Sequence, residues 1–439
     1  MRVDRYRFVL YLFLTLFWVK MCTGFVFDEI LIGKGGIRLF LLQSSNIMLL
    51  ALGGALLRRR SDILFYLGTL GYVFIDTCFI NSDSIGRFFL GTSDIIGLIA
   101  ILPIYRYLYD KSPGHNFTAV FNRQLYVWLI LQAFAIVWQF VKYGAGDAVG
   151  GTFGNSGSGI TSTCIYIVSF LLLMQRWNAD EMAASFKANF KYILLLFPTM
   201  LNETKVSFVY LVIYFFLLLP FSHKFIKKIF IAVPIAVGLF FIMLPIYLTT
   251  TNTKIHTLID NDFYQNYMVG TDIGDVGERA QMITDGTLEG DDIEDATRVD
   301  VPRATKYLFM WPILQDTKGG HAFGAGIGQF AGWNDNNFTR FARLNKWLLN
   351  GTKPWIFAVW VQLGWIGVIL TSILIIRGIW HRPRGNRKIL KMDLFLLAVF
   401  ALSFLYDDCW RWDGVCLILF YAGFFMKTPA AQQLPYHDS

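Results

Sequence analysis

The sequence predicts an all-α polytopic membrane protein with about 12 transmembrane helices and one large, partly helical external loop. Two observations support this fold class. Hydrophobic residues make up 55% of the chain and charged residues only 16%, whereas a soluble domain carries about 25% charged residues. The apolar residues also fall into runs of about 20, which is the length that crosses a bilayer as a helix. Such runs must be helical, because lipid cannot satisfy free backbone groups.

The apolar runs place the predicted spans and divide the chain into four parts. The spans are residues 8–27, 37–57, 62–80, 88–108, 124–143, 160–176, 189–201, 205–221, 229–250, 355–376, 393–408 and 412–426. The seventh is short, which indicates a tilted helix or one continuous with the polar break at Asn202–Lys205. The parts are helices 1–9 in residues 1–250, the large loop in 251–354, helices 10–12 in 355–427, and a tail in 428–439.

The distribution of lysine and arginine predicts the orientation. With the N-terminus inside, the internal segments hold 22 of these residues and the short external segments hold six. This bias places both termini in the cytoplasm and the long loop outside. It also accounts for the net charge of +8 without a nucleic-acid partner. The five cysteines lie in or beside apolar runs, with neither metal-ligand spacing nor a disulfide framework.

The large loop reverses its charge along the chain, from acidic to basic after Arg298. The basic half begins with a predicted amphipathic helix at 301–314, in which Pro302 suits the first turn. Arg303 and Lys306 are three residues apart and therefore share a face. The apolar face of this helix is predicted to rest on the membrane surface or on the helix bundle. Its members are Tyr307, Leu308, Trp311 and Leu314.

Two glycine-rich segments stand out. Gly324, Gly326 and Gly328 lie within residues 319–330. They lack the strand–turn–helix context of a dinucleotide fingerprint, and the expected structure is a tight turn. Residues 144–159 hold seven glycines. That segment is either a flexible inter-helix loop or a stretch whose backbone approaches a polar ligand closely, which glycine permits.

Several short motifs resemble those of the O-antigen polymerase and ligase superfamily, which contains Wzy-type polysaccharide polymerases and lipid-A-core ligases. That family combines 10–14 membrane helices with one large periplasmic loop late in the chain. The matching features are Arg303 at the start of the loop helix, the Phe-Gly-Ala-Gly-Ile-Gly segment at 323–328, Gln-Leu-Gly-Trp-Ile-Gly at 362–367, Thr204-Lys205 in place of a Ser-Arg pair, and Gly-Thr-Phe-Gly-Asn at 151–155. The histidine that many members carry before the post-loop helix is absent near Pro354-Trp355.

The resemblance implies glycosyl transfer between two lipid-linked sugars at the periplasmic face of a bacterial inner membrane. The donor would be a growing glycan on undecaprenyl diphosphate, and the acceptor a new repeat unit on the same carrier. It implies no cofactor. A chain-length regulator is an expected partner protein besides the lipid bilayer. No cluster of Asp, Glu or His suggests a metal site, so metal-independent chemistry is expected.

Such a reaction needs fixed positive charge for the leaving diphosphate and a group that takes the acceptor proton. The predicted catalytic residues are Arg303, Lys205, His321 and Glu203, with His321 or Glu203 as the base. Further residues are predicted to bind the diphosphate or sugar: Arg298, Lys306, Arg340, Arg343 and Trp311.

Three other functions remain open at this point. An O-antigen ligase of the same superfamily would share these motifs, although the missing histidine argues against it. A membrane glycosyltransferase that uses lipid-phosphate sugars would carry acidic residues in the first external loop, where Asp28 and Glu29 lie. A polysaccharide transporter would usually have a smaller external loop and an internal repeat.

Overall fold

Every regular element is helical in the part of the chain that the computed structural model describes. The described residues are 4–32, 34–112, 116–144, 146, 148–155, 157–178, 181–202, 206–219, 303–330, 339–349, 353–380, 387–406 and 413–425. None of these residues lies in a strand. The predicted all-α class is therefore confirmed.

The described helices are numbered here in chain order. They are α1 (Arg5–Phe25), α2 (Gly35–Ala55), α3 (Arg60–Phe74), α4 (Ile85–Asp110), α5 (Asn116–Tyr143), α6 (Ser158–Arg176), α7 (Met182–Leu194), α8 (Val206–Leu218), α9 (Arg303–Gln315), α10 (Gly320–Phe323), α11 (Arg340–Leu344), α12 (Lys346–Leu349), α13 (Trp355–Ile379), α14 (Arg387–Tyr406) and α15 (Asp413–Phe425). Short π-helices continue α1 over Val26–Ile30 and α3 over Ile75–Ile80. Short 3-10 turns occur at Gly151–Phe153 and Phe197–Met200.

Seven of the described helices are long and apolar enough to cross a membrane. They are α1 to α6 and α13, which coincide with the first six predicted spans and the tenth. The eighth, eleventh and twelfth predicted spans coincide with the helices α8, α14 and α15. The seventh is the end of α7 followed by a 3-10 turn, and the ninth lies outside the described residues. The total of twelve spans stays a prediction.

Burial separates the central helices from the lipid-facing ones. The apolar window of α6 is 89% buried and that of α4 is 72% buried, whereas that of α2 is 22% buried. The helices α4 and α6 therefore lie inside the bundle, and much of α2 faces lipid. An aromatic cluster joins α1, α4, α5 and α15, with ring centroids 4.4 Å apart for Phe121 and Tyr421 and 5.3 Å apart for Phe13 and Tyr105.

A buried ion cluster ties three helices together at the predicted cytoplasmic end. Asp62 at the start of α3 is 4% exposed. Its Oδ1 accepts hydrogen bonds from Arg106 of α4 and Arg377 of α13. A carboxylate at this depth requires such partners, because burial of a charge without compensation is costly. This cluster therefore fixes the relative positions of α3, α4 and α13.

Candidate functional site

The segment after α10 folds into a glycine loop (residues 324–330) that packs against α13. Gly324, Gly326 and Gly328 have φ angles of 75°, 84° and 88°, which glycine adopts readily and other residues avoid. The backbone N–H of Ala325 donates to the Val361 carbonyl at 2.8 Å. The sequence therefore predicted a tight turn here correctly. The structure adds that the turn is docked on the first half of α13.

The helix α13 is itself interrupted where the loop docks. Gly364 has φ 63° and ψ −170°, a conformation outside the helical range. A Cβ atom at Gly364 would lie 2.1 Å from the Ala322 carbonyl oxygen. A Cβ atom at Gly324 would lie 2.7 Å from the backbone nitrogen of Gly364. Glycine is therefore needed at positions 324 and 364, because the backbones of the loop and of α13 are in direct contact there.

Side chains from α13 and from the π-helix that continues α3 bond the backbone of the glycine loop, and a side chain of α4 supports them. Gln362 Oε1 accepts from the N–H groups of Gly328 and Gln329 at 2.7 and 3.2 Å. Its Nε2 donates to Asp94 Oδ2 at 3.3 Å. On the opposite side, the Ile327 N–H donates to Thr77 Oγ1 at 3.2 Å. The loop is therefore held as a rigid element by buried polar groups.

The basic face of α9 is turned inward. Arg303 is 6% exposed and Lys306 is fully buried, on the same face as the buried Met310 and Leu314. The predicted common face of the two cations is thus observed. Part of the predicted apolar face is exposed instead. Trp311 is 50% exposed, and Leu308 is largely exposed as well.

The helix α9 is docked on the start of α13 through aromatic rings. The Tyr307 ring lies 5.2 Å from Phe357 and stacks on Trp360 at 5.9 Å. Burial raises the pKa of the Tyr307 phenol well above its usual range, so the group stays protonated. These contacts place the buried cations of α9 beside the same half of α13 that carries the glycine loop.

His321 lies inside this aromatic cluster. Its ring is 4.1 Å from Trp311 and stacks parallel to Trp360 at 5.7 Å. Both imidazole nitrogens are buried and have no hydrogen-bond partner in the described chain. In this arrangement the imidazole serves as a packed ring. Stacking covers the ring faces, whereas the nitrogens lie at the ring edge, so proton exchange with a substrate would require access to that buried edge.

The remaining predicted site residues divide into two groups. Arg340 and Arg343 lie on the short helix α11 and are exposed. Thr339 joins α11 to the glycine loop, because its hydroxyl accepts from the Ala342 N–H at 2.8 Å and donates to Gln329 Oε1. The other group comprises Lys205, Glu203 and Arg298, which lie outside the described residues.

Asp76 is a candidate functional residue that the sequence reasoning missed. It lies in the π-helix that continues α3, is fully buried, and has one carboxylate oxygen, Oδ2, without a hydrogen-bond partner. Its Oδ1 accepts from Asn81 Nδ2 at 3.2 Å, and Asn81 packs against Gly326 of the glycine loop. The available signal was a carboxylate inside the apolar run 62–80, well beyond Asp62 at its first position, since ionisable groups at such depth are usually functional.

The second glycine-rich segment contains a 3-10 turn at Gly151–Phe153, and the backbone of this turn contacts protein side chains. The Gly151 N–H donates to Gln139 Oε1 at 2.6 Å, and the Thr152 N–H donates to Gln132 Oε1 at 2.7 Å. A Cβ atom at Gly151 would lie 2.5 Å from the Gln132 amide nitrogen. Gly151 is therefore explained by close packing on Gln132 of α5.

The acidic pair after α1 is engaged in ion pairs. Asp28 pairs with Arg38, and its Oδ2 accepts from the Asn155 N–H at 2.9 Å. Glu29 pairs with Lys142 at 2.8 Å. No group of three or more His, Cys, Asp or Glu with metal-binding geometry occurs among the described residues.

Comparison with known proteins adds no assignment to this geometry. No protein-family model matches the chain, and no curated protein matches it at a significant level. The class that the fold supports is an all-α protein embedded in a membrane.

Proposed function

We propose that this protein is a polysaccharide polymerase of the O-antigen or capsule type, located in a bacterial inner membrane. It transfers a growing glycan from undecaprenyl diphosphate onto a new lipid-linked repeat unit at the periplasmic face. The observation that carries this proposal is the pair of buried cations on α9, docked beside the glycine loop and the interrupted start of α13.

The chemistry assigns a role to each part of this arrangement. A hydroxyl oxygen of the acceptor sugar attacks the anomeric carbon of the donor, whose bond to the diphosphate oxygen breaks. The diphosphate leaves with the electron pair, and fixed cations in a water-poor site stabilise that charge. Arg303 suits bidentate contact with the diphosphate and Lys306 suits a point-charge contact.

The acceptor proton needs a receiving group, for which there are three candidates. The sequence favours His321 or Glu203. Both nitrogens of His321 are buried at the edge of its ring, so a substrate hydroxyl must reach that edge before His321 can act. Asp76 is the third candidate, because its Oδ2 is unpartnered beside the glycine loop. Arg340 and Arg343 are exposed near that loop, where they can bind the sugar chain or the diphosphate.

Deletion of the gene in its host tests the proposal. A polymerase mutant should display surface lipid that carries a single repeat unit. Complete polymer that accumulates on the carrier lipid would instead identify a ligase. Loss of both polymer and single units from the outer face would identify a transporter.

Complementation of that deletion tests the site. The Arg303→Ala variant should leave single repeat units while its protein level equals that of the wild type. Lys318→Ala is the matched control, because Lys318 is an exposed cation of the same loop that bonds Ser82. Normal chain length with Arg303→Ala would refute the assignment of Arg303.

A further inference from the structure

Two arginines from separate segments converge on the ring of Tyr107 at the predicted cytoplasmic end of the bundle. Tyr107 lies near the end of α4 and is buried. The guanidinium carbon of Arg5 lies 6.0 Å from the centroid of the ring, and that of Arg58 lies 5.0 Å from it, which is the range of a cation–π contact. Arg5 begins α1 and Arg58 lies between α2 and α3. These three residues form the Tyr107 patch.

The two arginines of the patch keep their hydrogen-bond donors available. Arg106 and Arg377 at the same end of the bundle are bound by Asp62. The side chains of Arg5 and Arg58, by contrast, are exposed and form no ion pair or hydrogen bond within the described part of the chain. A cation–π contact needs no hydrogen-bond acceptor, so the five N–H donors of each guanidinium group remain for a ligand.

Positive charge exceeds negative charge around the patch. Topology accounts for this excess, because lysine and arginine accumulate at the cytoplasmic ends of membrane helices. Topology does not account for the convergence of two like charges on one ring. The described charged residues at the starts of α1 and α3, in the α2–α3 connection and at the ends of α4 and α13 are eight basic residues, Arg5, Arg7, Arg58, Arg59, Arg60, Arg106, Lys111 and Arg377, and three acidic residues, Asp4, Asp62 and Asp110. A ligand of the patch is therefore an anion, and a phosphate suits it because one arginine can contact two phosphate oxygens at once.

The patch lies where the lipid-facing surface of the bundle begins. Phe8 of α1 is largely exposed one turn after Arg5, and Leu64 and Leu67 of α3 are largely exposed after the Arg58–Arg60 run. One helical turn is about 5.4 Å, which is close to the depth of the head-group layer on each side of the hydrocarbon core, about 5–7 Å. The guanidinium groups therefore stand in the head-group layer when these apolar side chains lie in the hydrocarbon.

We propose that the Tyr107 patch binds the phosphate head group of an anionic phospholipid, whose acyl chains run along the exposed apolar residues of α1 and α3. The bound phosphate offsets the repulsion between Arg5 and Arg58 and links the start of α1 to the α2–α3 connection. This inference does not depend on the proposed function. The patch lies at the end of the bundle where Arg377 closes α13, whereas α9 packs on the beginning of α13.

Binding of one short-chain lipid to the purified full-length protein tests the proposal. The probe is phosphatidylglycerol with two short acyl chains, and native mass spectrometry of the protein in detergent gives the Kd of the first bound molecule. Phosphatidylcholine with the same chains should bind more weakly by at least about tenfold, because its head group carries no net charge. Equal affinity for the two lipids would overturn the proposal.

Inorganic phosphate distinguishes a lipid site from a site for a soluble anion. It should displace phosphatidylglycerol only at concentrations far above that of the lipid, because it gains nothing from the apolar surface beside the patch. Inorganic phosphate that binds as tightly as phosphatidylglycerol would assign the patch to a soluble anion and overturn the proposal.

Paired charge variants locate the bound lipid. Arg5→Gln/Arg58→Gln should raise the Kd for phosphatidylglycerol by about 100-fold, since each charge-assisted contact contributes about a factor of ten. Arg59→Gln/Arg60→Gln is the matched control. Arg59 and Arg60, which the structure also describes, are exposed beside the patch and form no cation–π contact with Tyr107. The control removes the same charge and should raise the Kd by less than about fivefold, because salt screens charges that do not touch the ligand. Equal losses in the two variants would show a general effect of charge and would overturn the proposal.

The ring of Tyr107 acts as a positioning group, and two variants test this role. Tyr107→Phe keeps the aromatic face and should bind phosphatidylglycerol like the wild type. Tyr107→Leu keeps both arginines but releases their guanidinium groups, so its Kd should rise by about tenfold. Equal Kd values for Tyr107→Leu and Tyr107→Phe would overturn the proposed role of the ring.

Discussion

Replacement of Gly364 by alanine should dislodge the glycine loop from α13. The new Cβ atom would lie 2.1 Å from the Ala322 carbonyl oxygen and 2.4 Å from the Phe323 nitrogen. Both neighbours are backbone atoms, so no side-chain rotation relieves the clash. The end of α10 has to move by about 1 Å to restore an ordinary contact. The glycine loop that follows it moves as well and loses its hydrogen bonds to α13.

The magnitude follows from two terms. A non-glycine residue at φ 63° and ψ −170° costs about 1–3 kcal/mol. Loss of the hydrogen bond from the Ala325 N–H to the Val361 carbonyl costs about 1 kcal/mol more. The variant is therefore expected to be less stable than the wild type by about 3 kcal/mol, and its polymerising activity should be lost.

Thermal unfolding in detergent and polymer formation in membranes measure the two effects. Gly71→Ala is the matched control, because Gly71 lies within α3 and a Cβ there meets nothing within 4 Å. The control should gain about 0.5–1 kcal/mol, the usual preference for alanine within a helix. A Gly364→Ala variant with the Tm and activity of the wild type would refute the described contact between loop and helix.

Variants at three further positions, with Asp4→Asn as a control, test the candidate site and the bundle. Arg303→Ala should abolish polymer, and Arg303→Lys should restore only part of it, because lysine lacks the bidentate contact; chain length on gels measures both. Asp62→Asn should lower the free energy of unfolding by about 3 kcal/mol, since it leaves two partly buried arginines without their carboxylate. Asp4→Asn, in an exposed ion pair, should change it by less than about 1 kcal/mol. Gln362→Leu removes the acceptor for the Gly328 N–H and should increase amide hydrogen exchange in the glycine loop.

Each of these predictions has a contradicting result. Full activity of Arg303→Lys would mean that a point charge suffices at this position. Equal unfolding temperatures for Asp62→Asn and Asp4→Asn would show that the ion cluster does not hold α3, α4 and α13 together. Unchanged hydrogen exchange in Gln362→Leu would show that the loop does not depend on the glutamine for its order.

Hydrophobic patterning was sufficient to predict the seven long apolar helices of the described residues, because a run of about 20 apolar residues has few alternatives in lipid. The interruption of α13 at Gly364 could not be predicted from the sequence, because Gly364 lies between apolar neighbours in a run typical of one continuous helix. The 3-10 turn at Gly151–Phe153 could not be predicted either. Its partners, Gln132 and Gln139, lie a span earlier in the chain, and only the packing of α5 brings them to its backbone.

The arrangement of the candidate site residues could be predicted from the sequence only where those residues lie on the same helix. The common face of Arg303 and Lys306 follows from their spacing. By contrast, the ring of His321 is enclosed by Trp311 and Trp360, which come from separate segments, so its surroundings could not be derived from local sequence. The sequence did indicate Asp76, as a carboxylate inside an apolar run. Its position beside the glycine loop, however, depends on tertiary contacts.

The most direct test of the central claim is polymer formation by the purified protein. The protein in nanodiscs is supplied with a repeat unit linked to undecaprenyl diphosphate, with no other enzyme present, and the products are separated by length. A ladder of products that remains attached to the carrier lipid, absent with Arg303→Ala and present with Lys318→Ala, is the result expected of a polymerase. An unchanged single repeat unit with the wild-type protein, under conditions in which the natural repeat unit is supplied, would contradict it.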